Sequence, residues 1–361
     1  MIDKNHPCGS EGALRSVLPT RIIVRIPNWI GDAVVSLSSI QGIQSRYRNV
    51  QISVLGPEPI TTLLSEFSDV VSYNPANIPS KSPFDLGFCF PLSFRSAYEL
   101  WRIPCQERIG YAHEGRSFFL SRRLNYAAWT NHHFHQVTYY QELVQSVFHD
   151  LSFTHPKLVV PESRRKDAMV RHIGALEGDE ILLAVNPGAF FGSAKTWPSS
   201  YFISLLSRLM IDYPSIRIIL FSGGKDREKA DVLEQALPKE KVVALQGKTA
   251  LSDSLAILSG CDYLLTNDSG MMHMGAALGL PGTVFFGPTD PVSTGPLGGK
   301  IRVLSHHVTC APCLLRECPI DHRCMTGLTW EIAHGPIFED LRKIRMQKAQ
   351  GNTITIGNSG E

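Results

Sequence analysis

Tyr263-Leu264-Leu265-Thr266-Asn267-Asp268-Ser269-Gly270-Met271-Met272-His273 carries the pattern that organises the chain. An apolar run ends at Thr266, residue types that cap turns and helices follow, and an apolar helix opens at Ser269, with Ala276-Ala277 later in it. Free amides and the positive end of a helix favour phosphate at such a turn. Ser269 is expected to satisfy some of those amides, and Gly270 to allow close approach. A plain capped turn fits the same residues. Asp268 argues both ways, because it repels a bare phosphate yet accepts hydrogen bonds from sugar hydroxyls. His273, four residues beyond Ser269, shares that helix face and is read either as a ligand contact or as a packing residue.

The strand, turn and helix recur on both sides of this stretch. In the second half, apolar strands are expected at 181–185, 216–221, 242–245 and 263–266, with helices at 197–210, 227–237, 252–258 and 269–278, and 283–286 closes the series. In the first half, strands at 22–26, 50–55, 70–73, 85–90 and 108–111 alternate with helices at 31–45, 60–66 and 94–101, and a further helix is expected over 134–147. Such βα repetition calls for parallel sheets covered by helices. A chain of 361 residues, 43% of them hydrophobic, exceeds what one core usually serves. We therefore expect a flexible N-terminal extension over 1–20, one α/β domain over 21–160, and a second over 161–328. A C-terminal helical segment over 329–348, broken near Gly335-Pro336 and free to pack across the first domain, and a flexible tail over 349–361 complete the chain. A ligand gripped by both domains belongs in the cleft between them.

Charge narrows the function classes. With 35 basic and 33 acidic side chains, the net charge of +2 carries no nucleic-acid footprint. Arg122-Arg123 and Arg164-Arg165-Lys166 read as solvated surface. No apolar run approaches the ~20 residues that span a bilayer, and the first 20 residues lack a signal-peptide pattern. A cytoplasmic chain, resting at most against a membrane surface, is the expectation.

Four further stretches hold residues suited to chemistry. Asn186-Pro187-Gly188-Ala189 leads through Gly192 to Lys195-Thr196-Trp197-Pro198, which places a mobile cation near a helix start. The glycine spacing is that of neither the P-loop nor the dinucleotide turn. Ser222-Gly223-Gly224-Lys225-Asp226 follows another strand, and its glycines open space at the cleft edge beside charges that suit phosphate or ribose. Pro27-Asn28-Trp29-Ile30-Gly31-Asp32 fills the first β-to-α turn, where Asp32 is either a charge stabilised by the helix end or a carboxylate base facing the cleft. Cys310, Cys313, Cys318 and Cys324 are compact enough to gather four thiolates around a structural zinc, although the paired CxxC units of a zinc ribbon are absent. Metal-free thiols and a redox pair are the other readings.

Taken in order and spacing, 28–32, 186–189 with 194–198, 266–273, Phe286-Gly287-Pro288-Thr289 and Arg316-Glu317-Cys318-Pro319 resemble the ADP-heptose–lipopolysaccharide heptosyltransferases, the type II enzymes most of all. The resemblance runs from about Ile22 to Leu341. It implies a GT-B fold, two Rossmann-like α/β domains facing a central cleft, with the nucleotide sugar held mainly by the C-terminal one. It implies catalytic roles for Asp32, as general base, and Lys195, as donor-phosphate lysine. Gly188, Gly223, Asp226, Asp268, Ser269, Gly270 and His273 are the expected donor contacts. It further implies ADP-heptose as donor, a Kdo–lipid A inner core bearing one heptose as acceptor, the cytoplasmic face of the inner membrane as workplace, and no cofactor in catalysis. Asn186, where relatives are often aromatic, and Thr294-Gly295, in place of a more proline-rich run, depart from the pattern. A related transferase with another acceptor, a nucleotide-sugar phosphorylase or epimerase, and a non-catalytic carbohydrate- or lipid-A-binding protein are the competing accounts.

Overall fold

A computed structural model describes residues 19–73, 83–126, 134–175, 179–223 and 227–350. The first half runs β1 (Arg21–Arg25), α1 (Ile30–Arg46), β2 (Gln51–Leu55), α2 (Glu58–Phe67), β3 (Val71–Tyr73), β4 (Phe84–Cys89), α3 (Phe94–Trp101), β5 (Cys105–Ala112), β6 (Arg122–Asn125) and α4 (Gln136–Gln145). After α5 (Glu162–His172) come β7 (Ile181–Asn186), α6 (Ser199–Asp212), β8 (Ile216–Leu220), α7 (Arg227–Ala236), β9 (Val242–Ala244), α8 (Leu251–Leu258), β10 (Tyr263–Asn267), α9 (Gly270–Ala277) and β11 (Pro281–Phe286). The chain ends with α10 (Pro291–Thr294), β12 (Lys300–Ser305), α11 (Arg323–Thr326) and α12 (Trp330–Ala349).

Each half builds one parallel six-stranded sheet, ordered β3-β2-β1-β4-β5-β6 and β12-β11-β10-β7-β8-β9. The two orders are the same once β7 is aligned with β1. This is the two-domain Rossmann-like architecture of the GT-B fold. Central strands such as β7 and β10 are buried along their whole length, as strands covered on both faces must be. In each sheet the strand order reverses at the central pair, β1 with β4 and β7 with β10. A crevice therefore opens at the carboxyl ends of those four strands.

The halves are stitched together away from that crevice. In the connecting segment the Leu158 amide donates to the Ala277 carbonyl, and the next amide, that of Val159, donates to the Phe67 carbonyl. Arg164 of α5 pairs with Glu66 of α2 and with Asp253 of α8, both at 2.7 Å.

Several sequence expectations need correction. Arg164 is thus an inter-domain bridge and not solvated surface, and α5 itself was not expected. Its sequence is too charged to show an apolar stripe, and only Ala168 and Met169 are buried. Two edge strands, β6 and β12, extend the sheets beyond the expected series. Both are half solvated, which leaves them no continuous apolar run. The C-terminal segment is one helix through Pro336, and it packs on α6 of the second domain, not on the first. Ala333, Ile337, Leu341 and Ile344 enter that domain's core, and this packing holds the helix through the hydrogen bond that proline cannot make. Among the described residues no helix is long and apolar enough to cross a membrane. The expected extension, apart from 19–20, and the tail from 351 lie outside the described residues.

Candidate functional site

The crevice holds a cavity of about 1130 Å³ whose walls come from both domains. Asn28–Asp32 after β1 and Gln136 at the start of α4 supply one side. Gly188, Lys195, Gly223, Asp268, Ser269, Gly270 and His273 line the other. Every described donor-contact candidate therefore meets in one place. Asp226, together with Gly224 and Lys225, lies outside the described residues. A second cavity of about 450 Å³ lies wholly against the first domain, walled by Phe90–Ser93 after β4, Tyr126, Phe134 and Tyr139. Asn28, Trp29, Asp32 and Gln136 belong to both cavities, so Asp32 stands in the partition between them.

The turn after β10 is built from side chains that tie it to the turn after β7. Asn267, fully buried, accepts from the Trp197 amide at 3.0 Å and donates to the Pro187 carbonyl at 2.8 Å. Asn186 donates to Ser269 Oγ at 3.0 Å. Ser269 stands at the N-cap of α9 but makes no side-chain cap bond; its hydroxyl is instead engaged by Asn186 and Thr266. This corrects the expected capping role and leaves the start of α9 without a side-chain acceptor at the cavity wall. Gly270 does give close approach, but to the facing domain: a Cβ there would lie 2.2 Å from Ile30 Cγ2, and one on Gly31 would lie 2.7 Å from His273 Cδ2. The N-termini of α1 and α9 therefore abut across the cleft because both positions lack a side chain. Trp29 and Phe190 meet edge-on above them, with ring centroids 5.1 Å apart.

Lys195 Nζ is 2.5 Å from Asp268 Oδ2, and Thr289 Oγ1 donates to the same oxygen at 2.6 Å. Both charges are well buried, the side chains being 12% and 6% exposed, so each holds the other in place. Two cations lie against the Phe191 ring, with Lys195 Nζ 4.8 Å and the Arg316 guanidinium 5.3 Å from its centre. Arg316 lines the cavity, and sequence reading assigned it no role.

Asp32 occupies the third position of α1, whose N-cap is Trp29. Burial is the main force on its carboxyl and pushes its pKa above the usual carboxylate range; a hydrogen bond from Gln136 and the charge of Lys195 oppose that rise, and Asp268 adds to it. Gln136 was not picked out from the sequence, since a lone glutamine opening a helix carries no motif. Next to it, His135 Nε2 lies 3.0 Å from the Gly295 carbonyl of the second domain. His273 is buried, and desolvation brings its pKa down to about 4, so it is a neutral ring at physiological pH. Phe221, Leu245, Leu251 and Met274 give the large cavity a mainly apolar stretch of wall, which Thr249 and Ser254 complete, and the buried Ser222 hydroxyl beside it has no partner among the described residues.

Cys310 and Cys313 are exposed, Cys318 is half-buried and Cys324 is buried; all four are free thiols. Burial first, then the neighbouring Cys318, Cys310 and Cys313, pushes the Cys324 thiol up. Among the described residues no three or more Cys, His, Asp or Glu side chains are gathered to hold a metal ion. The loop does brace the Lys195 turn: the Ala194 amide donates to the Arg316 carbonyl at 3.0 Å, and His322 Nε2 lies 2.7 Å from the Ala194 carbonyl.

Comparison with known proteins adds an independent line. The profile of glycosyltransferase family 9 (heptosyltransferase) matches residues 80–323. Lipooligosaccharide heptosyltransferase 2 of Campylobacter jejuni is 26% identical over 341 residues, covering 90% of this chain and 99% of that protein. Lipopolysaccharide heptosyltransferase 2 of Escherichia coli K12 is 28% identical over 308 residues, covering 79% and 87%. The solved structure of E. coli ADP-heptose lps heptosyltransferase II superposes with a TM-score of 0.76 at 26% identity, covering 91% of this chain and 99% of that one.

Proposed function

The chain belongs to glycosyltransferase family 9, the heptosyltransferases, and on that premise we propose that it transfers L-glycero-D-manno-heptose from ADP-heptose to the first heptose of a Kdo–lipid A inner core, as a type II enzyme. The observation that carries this reading is the position of Asp32 in the partition between a large two-domain cavity and a smaller one confined to the first domain. A donor in the first and an acceptor hydroxyl in the second would meet at that carboxylate.

In this reading the adenine occupies the apolar stretch near Phe221 and Leu251, with Ser222 as a hydrogen-bonding partner. The diphosphate faces Lys195, Arg316 and the uncapped start of α9. The acceptor hydroxyl oxygen attacks the anomeric carbon from the side opposite ADP and its proton passes to Asp32. The bond from the anomeric carbon to the phosphate oxygen breaks, inverting configuration. Negative charge then grows on ADP, where the two cations and the helix end stabilise it without reorganising. Contact between α1 and α9 at Gly31 and Gly270 keeps the base and the leaving-group cations in one frame and restricts water. Asp268 positions the lysine, and Gln136 positions the base.

Purified protein incubated with ADP-heptose and mono-heptosylated Kdo–lipid A should yield acceptor heavier by one heptose. Calorimetric binding of ADP with no mass gained on this acceptor would overturn the assignment. Mass gained on a different acceptor would correct only the specificity.

A further inference from the structure

The first domain carries an aromatic surface that the proposed chemistry does not use. Helix α3 buries Ser96, Ala97 and Leu100 but turns Phe94, Tyr98 and Trp101 outward, at spacings of four and three residues. These rings are 52%, 44% and 45% exposed, and Phe118, on the adjoining turn, is 80% exposed. They form one body. Phe119 lies 5.0, 5.6 and 5.7 Å from the rings of Phe94, Tyr98 and Trp101, and 5.6 Å from that of Phe118. A helix apolar on both faces, with Trp and Tyr on the outer one, leaves a large patch that water disfavours.

The surroundings indicate what covers it. Arg95 on α3 is 87% exposed, and Arg102 and Arg123 beside the patch are exposed too. Glu99, the acid of the same helix, is engaged by both Arg25 and Arg95; Glu114 is exposed near the far turn. Amphipathic aromatic rings ringed by guanidinium groups match the headgroup zone of a bilayer bearing anionic lipid. The patch begins at the edge of the smaller cavity, because Ser93 lines that cavity and Phe94 is the next residue.

We propose that α3 and the Phe118–Phe119 turn form a docking surface for an anionic phospholipid bilayer, set so that the mouth of the cavity beside Asp32 faces the membrane. The choice of a bilayer is consistent with the lipid-borne acceptor proposed above. Its test uses neither donor nor acceptor, so each reading can fail alone.

The full chain is sedimented with vesicles of phosphatidylethanolamine and phosphatidylglycerol, and in parallel with phosphatidylcholine vesicles. Binding to the anionic vesicles is expected. A variant carrying Phe94→Ser, Tyr98→Ser and Trp101→Ser should lose it by at least tenfold. Arg102→Glu with Arg123→Glu, which leaves the rings intact, should weaken it by at least about fivefold per charge and abolish the preference for anionic lipid. Brominated lipid should quench tryptophan fluorescence in the native chain and much less in Trp101→Phe. Failure of the native chain to sediment, or equal sedimentation of the charge-reversed variant, would overturn the proposal. So would a monomer–dimer equilibrium in ultracentrifugation that only the triple-serine variant abolishes, because the patch would then be an interface between two copies.

Discussion

Lys195 is expected to serve both fold and chemistry, and one double-mutant cycle separates the two. Its ammonium is 2.5 Å from Asp268 Oδ2, and the pair is nearly shut off from water at 12% and 6% exposure. Lys195→Met keeps most of the stem volume and removes the charge, which leaves Asp268 buried with Thr289 as its remaining side-chain partner. Breaking a buried pair from one side costs about 3–5 kcal/mol, whereas replacing both charges by neutral groups is often close to neutral. For a domain of this size 3 kcal/mol corresponds to roughly 6–12 °C in the thermal midpoint. Lys195→Met should therefore melt several degrees low, and Lys195→Met with Asp268→Asn should recover most of that loss. Activity should not follow. Removing a preorganised charge from a developing anion typically costs about 10²–10³ in rate, and the double variant has no cation to restore, so its kcat/KM for ADP-heptose should stay down. Calorimetric melting and steady-state kinetics on the four proteins supply the numbers. A Lys195→Met protein that melts within 1 °C of the native chain, as an order-of-magnitude bound, would refute the claim of a buried pair. Recovery of kcat/KM in the double variant would refute the leaving-group role.

Asp32→Asn should lower kcat by about 10²–10⁴ while calorimetry shows unchanged ADP binding. The same variant should melt no lower than the native chain at neutral pH. Burial raises the folded-state pKa of Asp32, so its ionisation costs stability as pH rises from the unfolded value through the folded one, and asparagine avoids that cost; a lower midpoint would contradict this. Gln136→Ala removes a hydrogen bond that favours the ionised carboxylate, so the acid limb of kcat/KM should move to higher pH. A bond to a charged group is worth roughly 1.5–3 kcal/mol, so a loss of at least about tenfold is expected; an unmoved limb would show that Gln136 does not act through Asp32. Gly270→Ala drives a Cβ to 2.2 Å from Ile30 at a cost of about 1–3 kcal/mol. Small-angle scattering should show the domains parted, and Ile30→Ala in the same chain should close them again.

How much of this was legible in the sequence follows from what kind of pattern each feature leaves. Strands buried on both faces, such as β7 and β10, are unbroken apolar runs and could be read directly, as could the polar turns that follow them. The edge strands β6 and β12 alternate with solvent and leave no run. Helix α5 is held by its charges, including Arg164 between Glu66 and Asp253, and charge reads as surface until its partners are known. In the site, Lys195, Asp268 and His273 were legible because each lies in or just beyond a turn that joins a readable strand to a readable helix. Arg316 and Gln136 were missed because they reach the cavity from a loop and a helix start far away in sequence. Ser269 shows a subtler limit. A serine at an N-cap normally bonds the helix amides, but here Asn186 and Thr266 claim its hydroxyl, and nothing local to residues 267–270 could reveal that.

The contacts that the sequence did not reveal have something in common. Gln136 touches Asp32 from α4, whose preceding residue, His135, reaches the Gly295 carbonyl across the cleft. Arg316 reaches the large cavity from a loop whose backbone holds the Lys195 turn. Gly31 and Gly270 let two helix starts touch. Each links one half of the site to a second element, so none is a property of a single strand-turn-helix unit. Either sheet alone has a turn suited to a charged ligand, and duplicating such a sheet would duplicate the turn. Setting a half-buried carboxylate from the first half within electrostatic reach of a lysine from the second requires the contacts that join them. The proposed reactive arrangement therefore belongs to the interface between the domains, and substitutions there should change turnover more than they change the binding of ADP.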